Sequence, residues 1–150
     1  MNIALSHRSG TESSYAYEHW LATFGDIQCI AMNEVSTEDY RTILTTCTGI
    51  VFTGGADIHP ALYGAEHRMS ECSIEPERDE RETILYELAM ELKLPILAIC
   101  RGVQFFAVKH GGSLFIDIQT DISKALIHGK VDGNDSNHTI QIETKSLLHK

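Results

Sequence analysis

The chain has 150 residues, which suits one domain able to bury a core without disulfides or metal. Its formal net charge of −9, with 12 Lys and Arg against 21 Asp and Glu and no basic run, argues against a protein that coats nucleic acid or an anionic membrane and favours small-molecule chemistry. Four cysteines without a CxxC pair or Cys/His ligand spacing read as free thiols in a reducing, cytoplasmic setting, and the apolar start yields at once to Ser6-His7-Arg8, too short for a signal core or membrane span.

Residues 1–6 read as a short buried strand. A helix follows in which Tyr17, Trp20, Leu21 and Phe24 recur at i, i+3, i+4 and i+7, predicting that they form its core face, with Gly25 closing its end. Residues 27–31 form a second strand, Ser36 or Thr37 caps a short helix over 38–46, and residues 49–53 form a third strand that ends in Gly54-Gly55. Residues 56–77 are an irregular segment long enough to count as a functional loop. A helix then spans about 78–93, with Leu85, Leu88 and Leu92 on its apolar side and its charges mostly on a solvated face. Pro95 opens a fourth strand, and Val103, Phe106, Ala107 and His110 share one face of the helix that follows, up to Gly111-Gly112. Beyond it, residues 113–116 suggest a short strand, 120–137 are polar and turn-rich, and 138–143 alternate like a half-buried strand. Strands alternating with helices predict an α/β fold with a mostly parallel sheet covered on both faces, binding ligands beyond the carboxyl ends of its strands.

Cys100 stands where the fourth strand turns into a helix. A helix N-terminus favours a thiolate over a thiol and offers N–H groups to the oxyanion formed when the sulfur attacks a carbonyl. A buried structural cysteine is the competing reading. Gly102 keeps the turn free of side-chain clash. Gly54-Gly55 reads as a simple turn or, beside an elbow cysteine, as a backbone donor facing the Arg101 N–H across an oxyanion hole. Gln104, one turn into the helix, either points its amide at the same pocket or is an ordinary exposed residue. Eight histidines without HExxH or paired ligand spacing give no metal site, and no cofactor is expected.

The blocks Gly54-Gly55-Ala56-Asp57-Ile58-His59-Pro60, Leu62-Tyr63-Gly64, Arg78-Asp79 with Glu82, Cys100-Arg101-Gly102-Val103-Gln104, and Gly111-Gly112-Ser113-Leu114 with Asp117 resemble, in this order, the class I glutamine amidotransferase-like superfamily. Within it they are most similar to the gamma-glutamyl-gamma-aminobutyrate hydrolase group of cysteine peptidases. The resemblance implies a flavodoxin-like sheet, occupied by residues 1–150 as one domain shortened at its C-terminal side relative to the family. It implies that Cys100 attacks a gamma-glutamyl amide to give a glutamyl thioester, with Gly55 and Arg101 supplying oxyanion donors and Gln104 and Gly54 holding the glutamyl group. Asp57, Tyr63, Arg78 and Asp79 match family positions that shape the loop and anchor it to the helix.

The family's general base, a histidine followed two residues later by a glutamate in a His-Pro-Glu-like motif, belongs to a late segment that would begin after Lys150, so neither partner is assigned here. His128 and His138 match family histidines outside the triad, His59 is expected to anchor its loop or face solvent, and His7 lies near the mouth. The expected function is a hydrolase of small gamma-glutamyl amides. A non-catalytic binding module that pairs with itself as a homodimer or with a partner, and a glutaminase subunit serving a synthetase, are the alternatives.

Overall fold

Four short runs rich in β-branched and apolar residues form the sheet: β1 (Asn2–Leu5), β2 (Gln28–Ala31), β3 (Gly49–Phe52) and β4 (Ile96–Ala98). The computed structural model describes residues 1–10, 16–126, 130–131, 134–135, 137 and 139–149, and the chain divides into two compact units, Met1–Ile116 and Asp117–Lys150. All four strands lie in the first unit, in the order β2-β1-β3-β4, and every pairing is parallel. The fold is therefore the α/β class that the alternation predicts, with the flavodoxin-like sheet that the resemblance implies. The register sets Leu5 beside Val51 and Phe52 beside Ala98, so β1, β3 and β4 end close together. Every residue of β3 is buried, as suits a central parallel strand covered on both faces.

The helices α1 (Ala16–Ala22), α2 (Tyr40–Leu44), α3 (Pro76–Glu91) and α4 (Arg101–Lys109) cover the sheet. The strand alternation divides the core between the two faces. Ala4, Ile50 and Phe52 join Tyr40, Leu44, Leu85, Ala89 and Phe105 in one cluster, while Leu5 and Val51 meet Leu21 in a smaller one. Phe52 stacks on Phe105 with ring centroids 5.6 Å apart and meets Phe106 edge-on, which docks α4 against β3.

Several sequence expectations are corrected. On α1 Leu21 is buried and Tyr17 packs half-buried against the same cluster, whereas Trp20 and Phe24, the latter beyond the end of the helix, pack edge-to-face on the surface. On α4 the covered face is Arg101, Gly102 and Phe105, whereas Val103, Ala107 and His110 are exposed, a shift set by the close approach of Gly102 to β3. Helix α3 begins at Pro76, whose fixed φ and missing N–H suit a first helical turn. The loop before it contains 3-10 turns at Pro60–Tyr63 and Glu66–Glu71. Residues 113–116 form no strand, and neither do residues 139–143, where Ile140 and Ile142 are exposed and have no sheet face to fill. His138 lies outside the described residues.

The second unit holds a one-turn helix, α5 (Ile118–Asp121), capped by the Asp117 carboxylate accepting from the Gln119 N–H at 2.7 Å. Strands β5 (Lys130–Val131) and β6 (Asn134–Asp135) form an antiparallel pair.

Candidate active site

Cys100 is the residue before the first turn of α4, two residues past the end of β4, and its backbone (φ 53°, ψ −110°) falls where non-glycine residues are strained. Such strain persists only when surrounding bonds over-determine it. Here the Ile99 N–H donates to the Phe52 carbonyl (3.0 Å) and the Gly102 N–H to the Ile99 carbonyl (2.9 Å), while the Cys100 carbonyl accepts from Val103 and Gln104. The result is an exposed thiol at the tip of a strand-to-helix elbow. Gly102 is required by a close approach: a Cβ at this position would lie 2.4 Å from the Phe52 carbonyl oxygen. A side chain there would push α4 off the sheet.

The second edge of the site is the turn after β3. The Gly54 N–H donates to the Tyr17 hydroxyl at 2.8 Å, and the Gly54 carbonyl accepts from Arg78 Nη2 at 2.9 Å. A Cβ on Gly54 would lie 3.5 Å from Cys100 Cβ and 3.9 Å from Sγ, so this peptide lies directly against the nucleophile candidate. A Cβ on Gly55 would lie 2.1 Å from Arg78 Nη1, and its φ of +157° also favours glycine. Among the described residues neither the Gly55 N–H nor the Arg101 N–H donates to a protein acceptor. The two amides expected to line an oxyanion hole are thus unclaimed, whereas the Gly54 amide is taken by Tyr17.

Beneath this backbone lies a group of buried charges. Arg78, Asp79 and Glu82 are 2%, 5% and 0% exposed and Arg101 is 0% exposed; Glu77, Glu80, Glu87 and Glu91 are solvated as expected for α3, and Arg78, Asp79 and Glu82 are its exceptions. The reason is pairing. Glu82 accepts from Arg78 Nε (3.0 Å), the Ser6 hydroxyl (2.8 Å) and Arg101 Nη1, while Asp79 accepts from Arg101 Nη2 and from the His59 N–H. Two cations face two anions, so the cluster is electrically balanced in a setting where an unpaired charge would be costly. Arg78 also donates to the Thr53 hydroxyl at 3.1 Å, and the Thr53 N–H donates to Ser6 at 3.2 Å. The expected anchoring of the loop is visible in Asp57, whose carboxylate accepts from the Ser73 N–H at 2.9 Å, and in Asp79 on His59.

The structure brings Cys100, Gly54, Gly55 and Arg101 together. Gln104 is exposed, one turn into α4. His59 caps its own turn, with Nδ1 accepting from the Ala61 N–H at 3.2 Å, so it anchors the loop. His7 lines a pocket with Glu75, Pro76, Glu77, Arg78 and Arg81; burial, and then Arg78, push its pKa below the usual histidine value. His128 lies outside the described residues, as does His138. Burial pushes the thiols of Cys29, Cys47 and Cys72 up, and Cys100 is the exposed one of the four free cysteines. No group of three or more His, Cys, Asp or Glu among the described residues is placed to hold a metal, and no described helix is long and apolar enough to cross a membrane.

Sequence reasoning missed Tyr17, read only as core, and the depth of Glu82. The signal for Glu82 was present: Arg78 and Glu82 at i and i+4, with Asp79 between, put opposite charges on one stripe of α3. Nothing local in the sequence marks Tyr17, because its partner is 37 residues away.

The chain is 33% identical over 138 residues to a glutamine amidotransferase-like protein, YvdE, of Lactococcus lactis, covering 90% of this chain and 58% of that protein. It is 38% identical over 80 residues to a glutamine amidotransferase of Mycobacterium tuberculosis, covering 53% of this chain and 26% of that protein. It is 37% identical over 73 residues to the gamma-glutamyl-gamma-aminobutyrate hydrolase PuuD of Escherichia coli, covering 48% of this chain and 28% of that protein. The chain spans 58% and 60% of the length of the two Lactococcus relatives it matches. Residues 5–150 match the Peptidase C26 family, and with the elbow thiol, the glycine turn and the parallel sheet in place, the chain belongs to that family within the class I glutamine amidotransferase-like superfamily.

Proposed function

We propose that this chain carries the nucleophile of a cysteine hydrolase acting on small gamma-glutamyl amides. The observation that carries the reading is the exposed Cys100 thiol on a strained elbow, flanked by the unclaimed N–H groups of Gly55 and Arg101. Sγ attacks the amide carbonyl, the oxygen becomes an oxyanion held by the two N–H groups, and the carbon–nitrogen bond breaks as the amine leaves with a proton. Water then cleaves the glutamyl thioester, so that one amide and one water give glutamate and the amine. Gln104, exposed one turn beyond the nucleophile, is the residue we assign to the glutamyl group, on the family resemblance. A histidine base is implied by the family resemblance, and among the described residues no histidine is hydrogen-bonded to Cys100. The gamma-glutamyl specificity is supported by the hydrolase relative and by the order of the sequence blocks.

The test is hydrolysis of gamma-glutamyl-p-nitroanilide by the full-length protein, with intact mass spectrometry for the thioester. Release of p-nitroaniline that disappears in Cys100→Ala supports the reading. Equal release by wild type and Cys100→Ala, or none from wild type on this probe and on a panel of gamma-glutamyl amides, overturns it. Turnover of free glutamine in preference to these amides would shift the reading to a glutaminase, the activity that the amidotransferase-like relatives' names suggest.

A further inference from the structure

Arg78 and Arg101 come from different parts of the chain, yet their guanidinium groups meet on one carboxylate. Glu82 accepts from Arg78 Nε at 3.0 Å and from Arg101 Nη1. Each arginine leads directly to one of the two unclaimed backbone donors. On the loop side, Arg78 Nη2 holds the Gly54 carbonyl oxygen at 2.9 Å. The Gly54 carbonyl and the Gly55 N–H belong to one trans peptide plane and point in opposite directions, so holding the oxygen aims the N–H away from Arg78. The Tyr17 hydroxyl fixes the preceding peptide by accepting from the Gly54 N–H. On the elbow side, Arg101 is the residue after the nucleophile, and its own N–H is the second donor, while its buried side chain is tied down to Glu82 and Asp79.

From this we infer that Glu82, with Arg78 and Arg101, is a positioning clamp that fixes the spacing of the two oxyanion donors. The inference rests on the Cys100 acyl-transfer reading but not on its gamma-glutamyl specificity. Three details support a geometric role. Gly55 has no room for a Cβ because one would lie 2.1 Å from Arg78 Nη1, so loop and guanidinium are fitted to each other. Arg101 Nε is buried with no partner, a cost accepted while both terminal nitrogens are committed to carboxylates. Glu82 reaches a third strand end as well, through the Ser6 hydroxyl and on to the Thr53 N–H. One carboxylate therefore couples the ends of β1 and β3 to the start of α4.

The clamp predicts a split between two reactions of the same thiol. Alkylation by iodoacetamide displaces iodide from a saturated carbon and forms no oxyanion. Acetylation by p-nitrophenyl acetate passes through an oxyanion, expels p-nitrophenolate and leaves an acetyl thioester. In the full-length protein, Glu82→Gln is expected to slow acetylation of Cys100 by roughly tenfold or more while alkylation stays within about twofold of wild type. Arg78→Lys, which keeps the charge but loses the fork that spans Glu82 and Gly54, should give the same split in smaller measure and serves if Glu82→Gln does not fold. Unchanged acetylation in whichever variant folds overturns the clamp, as does an equal fall in both reactions, which would report general loosening. A wild-type Cys100 that alkylates but never acetylates also overturns it. Failure on gamma-glutamyl amides with acetylation and the split intact would instead overturn only the substrate assignment.

Discussion

On the solvent side of the Gly54-Gly55 turn the side chains are open: Cys100 and Gln104 are exposed, and Val103 is 56% exposed. On the other side, Arg78, Asp79, Glu82 and Arg101 are at most 5% exposed and are committed to one another. One layer of backbone separates the two regions. The contrast follows from what each side has to do. A nucleophile must be reached by its substrate, whereas N–H donors aimed at a developing charge are effective only if they do not move when it appears. Buried ion pairs are a poor way to add net stability, since apolar residues of similar volume serve as well or better. Four buried charges beneath a backbone turn therefore make more sense as a means of fixing geometry.

The largest effect should come from breaking the floor. Arg101→Ala removes the ion-pair partner of Asp79 and one of the two arginines on Glu82 and leaves uncompensated carboxylate charge in the interior, with an expected loss of roughly 3–5 kcal/mol in urea unfolding. Arg41→Ala is the control. Arg41 pairs with Glu91 through two bonds of 2.8 and 2.6 Å, but with side chains 52% and 59% exposed the pair is screened by water, and its loss should barely move the midpoint. Similar shifts for the two variants would mean that the floor is far less committed than its burial indicates.

A smaller effect is expected where floor and rim meet. Gly102→Ala puts a methyl group 2.4 Å from the Phe52 carbonyl oxygen and 2.9 Å from Phe52 Cβ, and a backbone obstacle on a central strand cannot swing aside. The helix must move, at a cost of about 1–3 kcal/mol, carrying Cys100 and the Arg101 N–H with it. Thermal unfolding together with the acetylation assay checks this. Wild-type stability and acetylation in Gly102→Ala would show that the elbow tolerates a displacement that its contacts forbid.

The rim was the legible part of the site. Apolar runs alternating with helical periodicity carry the parallel sheet, and a cysteine between a strand and a helix, with glycine two residues later, carries the elbow. These are local patterns, set within a few residues. The floor was harder to read because its meaning depends on contacts across the fold: Ser6 meets Glu82 over 76 residues, and Arg78 meets Gly54 over 24. An Arg-Asp-x-x-Glu stretch on a helix looks the same in sequence whether it faces water or a sheet end. The failed strand at 113–116 and the exposed faces of α1 and α4 have a related cause, since periodicity shows which residues share a face but not what that face meets.

The smallest effect tests how the floor tolerates added charge. His7 Nδ1 is buried without a partner, and the ring shares its pocket with Arg78, Arg81, Glu75 and Glu77. Burial first, and then the Arg78 charge, lower its pKa from 6.5, while Glu75 and Glu82 oppose the shift only in part. A histidine whose folded pKa is depressed binds fewer protons folded than unfolded, so its contribution to stability is present above 6.5 and is lost as the pH falls through and below that value. His7→Asn removes the titration while keeping a polar group near Nδ1. Urea midpoints at about pH 7.5 and about pH 5.5 should therefore fall further for wild type than for His7→Asn, with the gap opening on the acid side. Parallel pH dependence in the two proteins would mean that a protonated His7 is accommodated beside Arg78, and that the boundary between floor and rim is wetter at the end of β1 than at the end of β3.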